Sequence, residues 1–532
     1  MGTAIKDKPH TTPLAGTEAF PLSPDGYALT SDLINTLGLP VFNVKSAAYG
    51  AIGNGIADDT TAIQSAITAC GAAGGGIVLL PAGTYLISTG LTITTAATIL
   101  SGIAEGATTL YTTSSIDMIT ITGPAVPAVA GGVMNMTITA NGTKASFAVV
   151  VGLSFEPILE NLMIHHFAGT GAGPSASFGV SVGNCSNLKA RGISMSDGGY
   201  LLGTGNASVY FSDCWSVLAP TYAWYVAGHD VFLDYCEGDD TTYGLYITSA
   251  IGDIRATQFV ADGISVAGFY VEANATNRQV NIDGGWVAGN GAGIVVHNSA
   301  NVNISGVTVN GVASSAFTTC ALFDTCTNCS LIGCTFVGAA STAVIEVTAS
   351  EECTIVGNAF QGYAPDAATT ACGILVTGSS SNITVIANVL GGTDITITNG
   401  IQVASGCSKV IISGNVIKAS VITNGIVIAS GLTGIVCNGN PAYSSAVTAP
   451  SVTSGSAFTP SATADSMLYL TYATAGSVTS VTMGPSTGAE NTVYGQSIVG
   501  VTGFSQSLRV PIGWKVVVTT VTATIAASVV TL

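Results

Sequence analysis

Asn43-Val44-Lys45, Tyr49-Gly50-Ala51, Gly53-Asn54-Gly55, Asp58-Asp59-Thr60 and Ala62-Ile63-Gln64-Ser65-Ala66-Ile67, followed by Gly74-Gly75-Gly76-Ile77-Val78-Leu79-Leu80-Pro81-Ala82-Gly83-Thr84-Tyr85-Leu86-Ile87, form the stretch that decides the fold. Asp58 or Asp59 can accept hydrogen bonds from the free amides of a helix that starts at Thr60. Ala62, Ile63, Ala66 and Ile67 fall on one face of that helix. Gly74 to Gly76 stop it. Ile77 to Leu80 then read as a buried strand, and Pro81-Ala82-Gly83 turns the chain into a second strand, Thr84 to Ser88. A stack of strands needs such a lid, because its first layer otherwise exposes an apolar end and unpaired edges.

Internal repeats extend this outward. NISG (303 to 306), LIGC (331 to 334), IVGN (355 to 358), VIAN (385 to 388), ISGN (412 to 415) and NGN (438 to 440) place small residues at Gly306, Gly333, Gly357, Ala387, Gly414 and Gly439, spaced 27, 24, 30, 27 and 25 residues apart. A second series begins at Gly293, Ala343, Gly373, Gly400 and Gly425. Two short β-branched strands per period, with no helix between them, predict a parallel β-helix whose coils lie about 4.8 Å apart. Asn358, Asn388 and Asn415 recur at one phase, which predicts an asparagine ladder at a turn with left-handed backbone.

The entry stretch resembles the N-terminal entry of pectin-lyase-like right-handed β-helices, which opens many bacteriophage tailspikes and many secreted polysaccharide hydrolases and lyases. The resemblance implies an all-β, right-handed parallel β-helix with a short N-terminal capping helix and a small C-terminal β-domain. Gly16 to Leu22 and Leu29 to Ile34 resemble the segment that precedes the β-helix in phage tail proteins, so residues 1–40 are expected to attach to a tail or baseplate protein of the virion. The β-helix with its cap is expected over 41–443, a linker rich in Ser, Thr, Ala and Pro over 444–463, and the C-terminal domain over 464–532. Leu508 to Val516 resembles tailspike C-terminal domains, which implies a homotrimer. The implied setting is the virion tail, and the implied partner is host cell-surface polysaccharide.

Composition narrows the partners. Of 532 residues only 8% are charged, and Lys+Arg 12 against Asp+Glu 29 leaves a net charge of −17. No basic patch can be assembled, which argues against nucleic acid. No run approaches the roughly 20 apolar residues of a membrane-inserted span. Met1 to Leu14 lacks the apolar core of a signal peptide. The twelve cysteines stand singly in strand patterns and read as buried free thiols. Cys326 and Cys329 lack a partner pair for zinc, so no metal and no cofactor are expected.

Acids and aromatics crowd between Tyr200 and His297. Strand alternation turns Trp224, Leu245 and Phe269 inward, so Tyr225, Tyr246 and Tyr270 should stack outward as a floor for sugar, flanked by Glu272 and His297. In the other series Val231 and Leu233 point inward, which leaves Asp234, Arg255 and Asp283 outward. Asp234 and Asp283 are two coils apart, about 9.6 Å, near the roughly 6.5–9.5 Å between the carboxylates of an inverting glycosidase. They are the leading catalytic pair, with Glu272 in reserve and Glu237, Asp239 and Asp240 as further acids beside the substrate. Polygalacturonase-like enzymes carry ordered Asn-Thr-Asp, Asp-Asp, Gly-His-Gly and Arg-Ile-Lys motifs. Here Gly228-His229-Asp230 precedes Asp239-Asp240 and no Arg-Ile-Lys exists, so that family's catalytic residues do not transfer. The expected function is binding and hydrolysis of surface polysaccharide. A non-catalytic spike and a polysaccharide lyase are the alternatives.

Overall fold

Asp58 begins the helix α1 (Thr60–Ala72): its Oδ1 accepts the Thr60 amide at 3.0 Å. Asp59 stands at the N-cap position, but its side chain turns back and accepts the amides of Ile52 at 2.6 Å and Gly53 at 2.9 Å. Of the two candidate caps, therefore, Asp58 holds the helix and Asp59 holds the loop before it. Ile63, Ala66, Ile67 and Cys70 are buried, and Ala62 is half-buried at the edge of the face. The helix packs on Val41–Asn43, Gly76–Leu79, Leu91–Ile93 and Thr98–Ser101. Gly76 starts its strand at φ 142°, where a Cβ would meet the Pro40 carbonyl oxygen at 2.3 Å, so glycine is required at this close approach.

The computed structural model describes residues 40–123, 131–170, 177–248, 252–272, 279–311, 319–338, 342–361, 369–391, 396–418, 422–430, 432–438, the positions 340 and 440, and strands between 457 and 531. Residues 1–39 and most of 444–463 lie outside the described residues, and with them the expected virion-attachment segment and linker. Two compact units divide the chain, Met1–Tyr222 and Ala223–Leu532.

In the first unit, strands from successive coils pair in parallel. Gly132–Ala140, Ile158–His165 and Lys189–Ser196 lie in register, so that Met136, Leu162 and Ile193 form one buried column. A second sheet runs through Leu91–Ile93, Ile119–Ile121, Val149–Val151, Ser177–Val182 and Gly199–Leu202.

In the second unit the same arrangement recurs with more even coils. Leu245, Phe269, Ile294, Ala321, Ile345, Ile374, Ile401 and Ile426 face one another in order along one sheet, each buried. This apolar column is what the period-two alternation specifies: every second side chain enters the core, and the next coil covers it. A second sheet carries Val231–Asp234, Ile254–Ile264, Val280–Gly289 and Val302–Ser305. All twelve cysteines are buried thiols. The C-terminal strands are antiparallel instead: Ser466–Tyr472 pairs with Ser505–Val510 and Ile525–Thr531, and Ser477–Pro485 with Trp514–Val521. Ala457–Phe458 joins Trp514–Val521.

The asparagine ladder forms at a turn with left-handed backbone, as expected. The left-handed residues are the ones before each asparagine, Gly357, Ala387 and Gly414, at φ 69°, 56° and 64°. Asn358, Asn388 and Asn415 are wholly buried. Asn358 donates its backbone N–H and its Nδ2 to Asn388 Oδ1, both at 2.9 Å, and Asn388 repeats this toward Asn415.

Candidate functional site

Leu245 and Ile247 enter the core, as do Phe269 and Val271 one coil on, so Tyr246 and Tyr270 between them must face outward. Because their strands pair in register, the rings stack: Tyr225 to Tyr246 at 5.5 Å between centroids and 7° between planes, Tyr246 to Tyr270 at 5.0 Å and 3°. All three predicted tyrosines are therefore brought together. Their mode of contact differs from a floor of open rings, since inner faces are covered by the neighbouring ring.

Tyr243 completes the cluster and was not foreseen. It meets Tyr246 and Tyr270 edge-on, at 5.2 Å and 77° and at 5.4 Å and 80°. Strict alternation from Tyr246 would put Tyr243 inside. The parity breaks at Gly244, which is buried together with Leu245 and where a Cβ would sit 2.6 Å from Ala261 Cβ and 2.8 Å from the Gly268 carbonyl oxygen. Only the pairing of glycines at Gly244 and Gly268 signals this in the sequence.

The Tyr246 hydroxyl donates to Glu272 Oε2. Burial first, and then the Glu272 carboxylate, raise the pKa of Tyr225, Tyr243 and Tyr270, which keeps these hydroxyls protonated as donors. In the outward column two residues further along these strands, Glu272 faces His297, and His297 faces Asp324, whose Oδ2 lies 3.0 Å from His297 Nδ1. Asp324 was also missed, although it lies one coil beyond His297 at the same phase.

Asp234, Thr257, Asp283 and Ser305 form one outward column on the other sheet, with both acids exposed. Ser305 Oγ donates to Asp283 Oδ1 at 2.7 Å. Arg255 stands in the next column, between Phe232 and Asn281, and is exposed. The alignment expected of Asp234 and Asp283 is present. They do not share a sheet with the tyrosines, however, because the two repeat series belong to different strands of each coil. Of the three expected catalytic acids, Glu272 is the one beside the ladder.

A third group lies at the end of Glu237–Asp239. Asp239 faces Asp262 directly across one strand spacing. Burial, then the hydrogen bond with the Glu237 carboxyl, then the charges of Glu237 and Asp262, raise Asp239 from 3.8 up to about 7. Its Oδ1 is buried with no hydrogen-bond partner among the described residues. Asp240, exposed and left-handed at φ 47°, donates its amide to the Asp262 carbonyl at 2.9 Å and serves the turn. Residues 240–242 carry the chain from Asp239 into Tyr243–Thr248. The sequence marked Asp239 as an acid, but gave no signal that it differs from its neighbours, because the cause lies in what surrounds it.

Parallel coils with in-register columns on this scale match known families. Residues 41–149 match the rhamnogalacturonase A/epimerase, pectate lyase-like family, and residues 222–390 match the right-handed β-helix region. The chain is a right-handed parallel β-helix whose entry matches the pectate lyase-like family. Among curated relatives, mannuronan C5-epimerase AlgE1 of Azotobacter vinelandii is 59% identical over 49 residues, 9% of this chain and 3% of that protein. The chain thus matches only a small part of that enzyme's length. Among solved β-helices, tailspike protein 3 of bacteriophage CBA120 is 12% identical with a TM-score of 0.51, covering 79% of this chain and 65% of that one. The A-module of mannuronan C-5 epimerase AlgE6 of Azotobacter vinelandii is 18% identical with a TM-score of 0.42, covering 75% and 99%.

Proposed function

We propose that this chain is the body of a bacteriophage tailspike that binds a neutral surface polysaccharide and hydrolyses it. The observation that carries the reading is the tyrosine ladder, four clustered phenols of which one is hydrogen-bonded to Glu272. Phenol hydroxyls and a carboxylate satisfy the hydroxyls of a sugar, while aromatic surface covers its apolar CH groups. The fold shared with a phage tailspike supports the setting. In this reading residues 1–40 join the chain to the virion tail and three copies make the spike, which a native mass of three chains checks.

Hydrolysis needs one carboxylic acid that is still protonated near neutrality and one carboxylate. Asp239 meets the first requirement. Asp262 faces it one strand spacing away, about 4.8 Å between backbones, a closeness that suits the carboxyl pair, roughly 5–5.5 Å apart, of a retaining glycosidase. Asp239 protonates the leaving oxygen, Asp262 attacks the anomeric carbon, and water activated by Asp239 then releases the sugar. The turn 240–242 places this pair next to the tyrosine strand, so a polymer crossing the turn meets both. A second reading rests on the Asp234–Asp283 column, whose wider spacing implies inversion.

Reducing-end release from a neutral capsular or O-antigen polysaccharide tests the proposal. Asp239→Asn is expected to cut the rate about 10²-fold or more while binding persists. Retained anomeric configuration in the product supports Asp239 and Asp262. Inversion, with loss in Asp283→Asn and not in Asp239→Asn, transfers the role to the other pair. Binding without chain shortening removes the hydrolase and leaves the adhesin.

A further inference from the structure

A separate polar cluster lies in the first unit. Ser196 faces His165 directly in the strand register, and the turn residues after them, Asp197 and His166, are both left-handed at φ 68° and 67°. Ser196 Oγ lies 2.7 Å from His165 Nδ1 and 3.3 Å from Asp197 Oδ2. A hydroxyl has one proton and the Asp197 carboxylate can only accept, so Ser196 Oγ donates either to Asp197 or, when His165 carries its hydrogen on Nε2, along the shorter contact to Nδ1; the second tautomer is the reactive one. His166 stands beside it, 6.3 Å between ring centroids, with its Nδ1 3.3 Å from Thr139 Oγ1 and its Nε2 3.9 Å from Asp197 Oδ2. Burial, then the neighbouring His166, lower the pKa of His165 against the opposing pull of Asp197, which favours the neutral, proton-accepting ring. All four side chains are partly exposed, so a substrate can reach them.

A serine hydroxyl within hydrogen-bond reach of a neutral imidazole, with a carboxylate fixing the adjacent turn, is the arrangement of an activated nucleophile. We propose that Ser196 and His165 form an ester-hydrolysing site that removes O-acyl groups from a glycan. Ser196 Oγ attacks the acyl carbonyl as its proton passes to His165. Collapse of the tetrahedral adduct breaks the bond to the sugar oxygen, which takes that proton and leaves as an alcohol. Water, giving its proton to His165, then attacks the acyl-serine. The carboxylic acid departs, and the proton returns to Ser196. Nothing is oxidised or reduced, and water is the co-reactant. Asp197 and His166 act as positioning residues.

The full-length protein is assayed with p-nitrophenyl acetate, with an O-acetylated neutral polysaccharide, and with a fluorophosphonate probe followed by peptide mass mapping. The expected results are acetate release from both substrates, label on Ser196, and a fall of about 10²-fold or more in Ser196→Ala and His165→Gln, each with an unchanged thermal midpoint. The rate should hold to lower pH than the usual imidazole value of about 6.5 would allow. No acetate release, label elsewhere, or a wild-type rate in Ser196→Ala overturns the proposal. Wild-type protein that shortens a glycan but releases no acetate overturns the ester site alone, and acetate release without shortening overturns the glycoside reading alone.

Discussion

Asp239 is charged or neutral according to the groups around it, and its proton makes a specific pH signature. Its folded pKa is raised from 3.8 to about 7. Below 3.8 both folded and unfolded chains hold the proton. Between about pH 4 and pH 7 the unfolded chain releases it and the folded chain does not, so stability falls with rising pH across that window and is flat above it. Thermal midpoints measured from pH 4 to 8 should show this slope in the wild type and a shallower one in Asp239→Asn. If Asp239 is the general acid, hydrolysis should also decline above about pH 7. A second residue-scale prediction concerns Tyr246. Tyr246→Phe keeps the stacked ring and removes the donor to Glu272, a hydrogen bond to a charged group worth about 1.5–3 kcal/mol when buried and less here at the half-exposed rim. Glycan affinity by calorimetry should drop, with urea stability reduced by about 1 kcal/mol or less. Tyr246 was legible from alternation alone. Its bond to Glu272 was not, because the carboxylate comes from the next coil and its side-chain direction is set by packing.

The asparagine ladder shows what a repeated element adds. Asn388 donates to the Ile355 carbonyl and to Asn415 Oδ1, and accepts from Asn358, all at 2.9 Å in a fully buried turn. Asn388→Ala leaves the Asn358 backbone N–H without its acceptor and the Ile355 carbonyl without the Asn388 Nδ2 donor, while Asn415 Oδ1 keeps only the backbone N–H of residue 388, which should cost about 2–4 kcal/mol in urea unfolding. Asn415→Ala should cost a similar amount, because it carries the same bonds toward Asn440. The phase of these residues was visible in the repeats. Their burial was not, since an asparagine next to a left-handed glycine suits an exposed turn equally well. The same limit applies at Gly244, where a glycine in a strand hid a break in alternation and with it the place of Tyr243.

At the scale of the whole molecule, charge selects the partner. With a net charge of −17, an acidic polysaccharide is repelled at low salt, while a neutral one is not. Affinity for an acidic glycan should therefore rise as ionic strength goes from about 0.01 to 0.15 M, where the screening length shortens from about 30 Å to 8 Å, and affinity for a neutral glycan should stay nearly constant. An affinity for acidic glycan that falls with salt would point to a cationic site instead. The sequence by itself determined the coil period, the alternation that sends most strand side chains into the core, and which residues share a column, because in-register parallel pairing turns equal phase into spatial contact. The two repeat series already set Tyr225, Tyr246 and Tyr270 apart from Asp234 and Asp283; only the tertiary structure decided that their strands lie in separate sheets, and that burial and neighbouring carboxyls raise the pKa of Asp239. Both depend on how strands of one coil bend away from each other and on which groups a neighbouring coil removes from water, and neither leaves a mark in the order of residues.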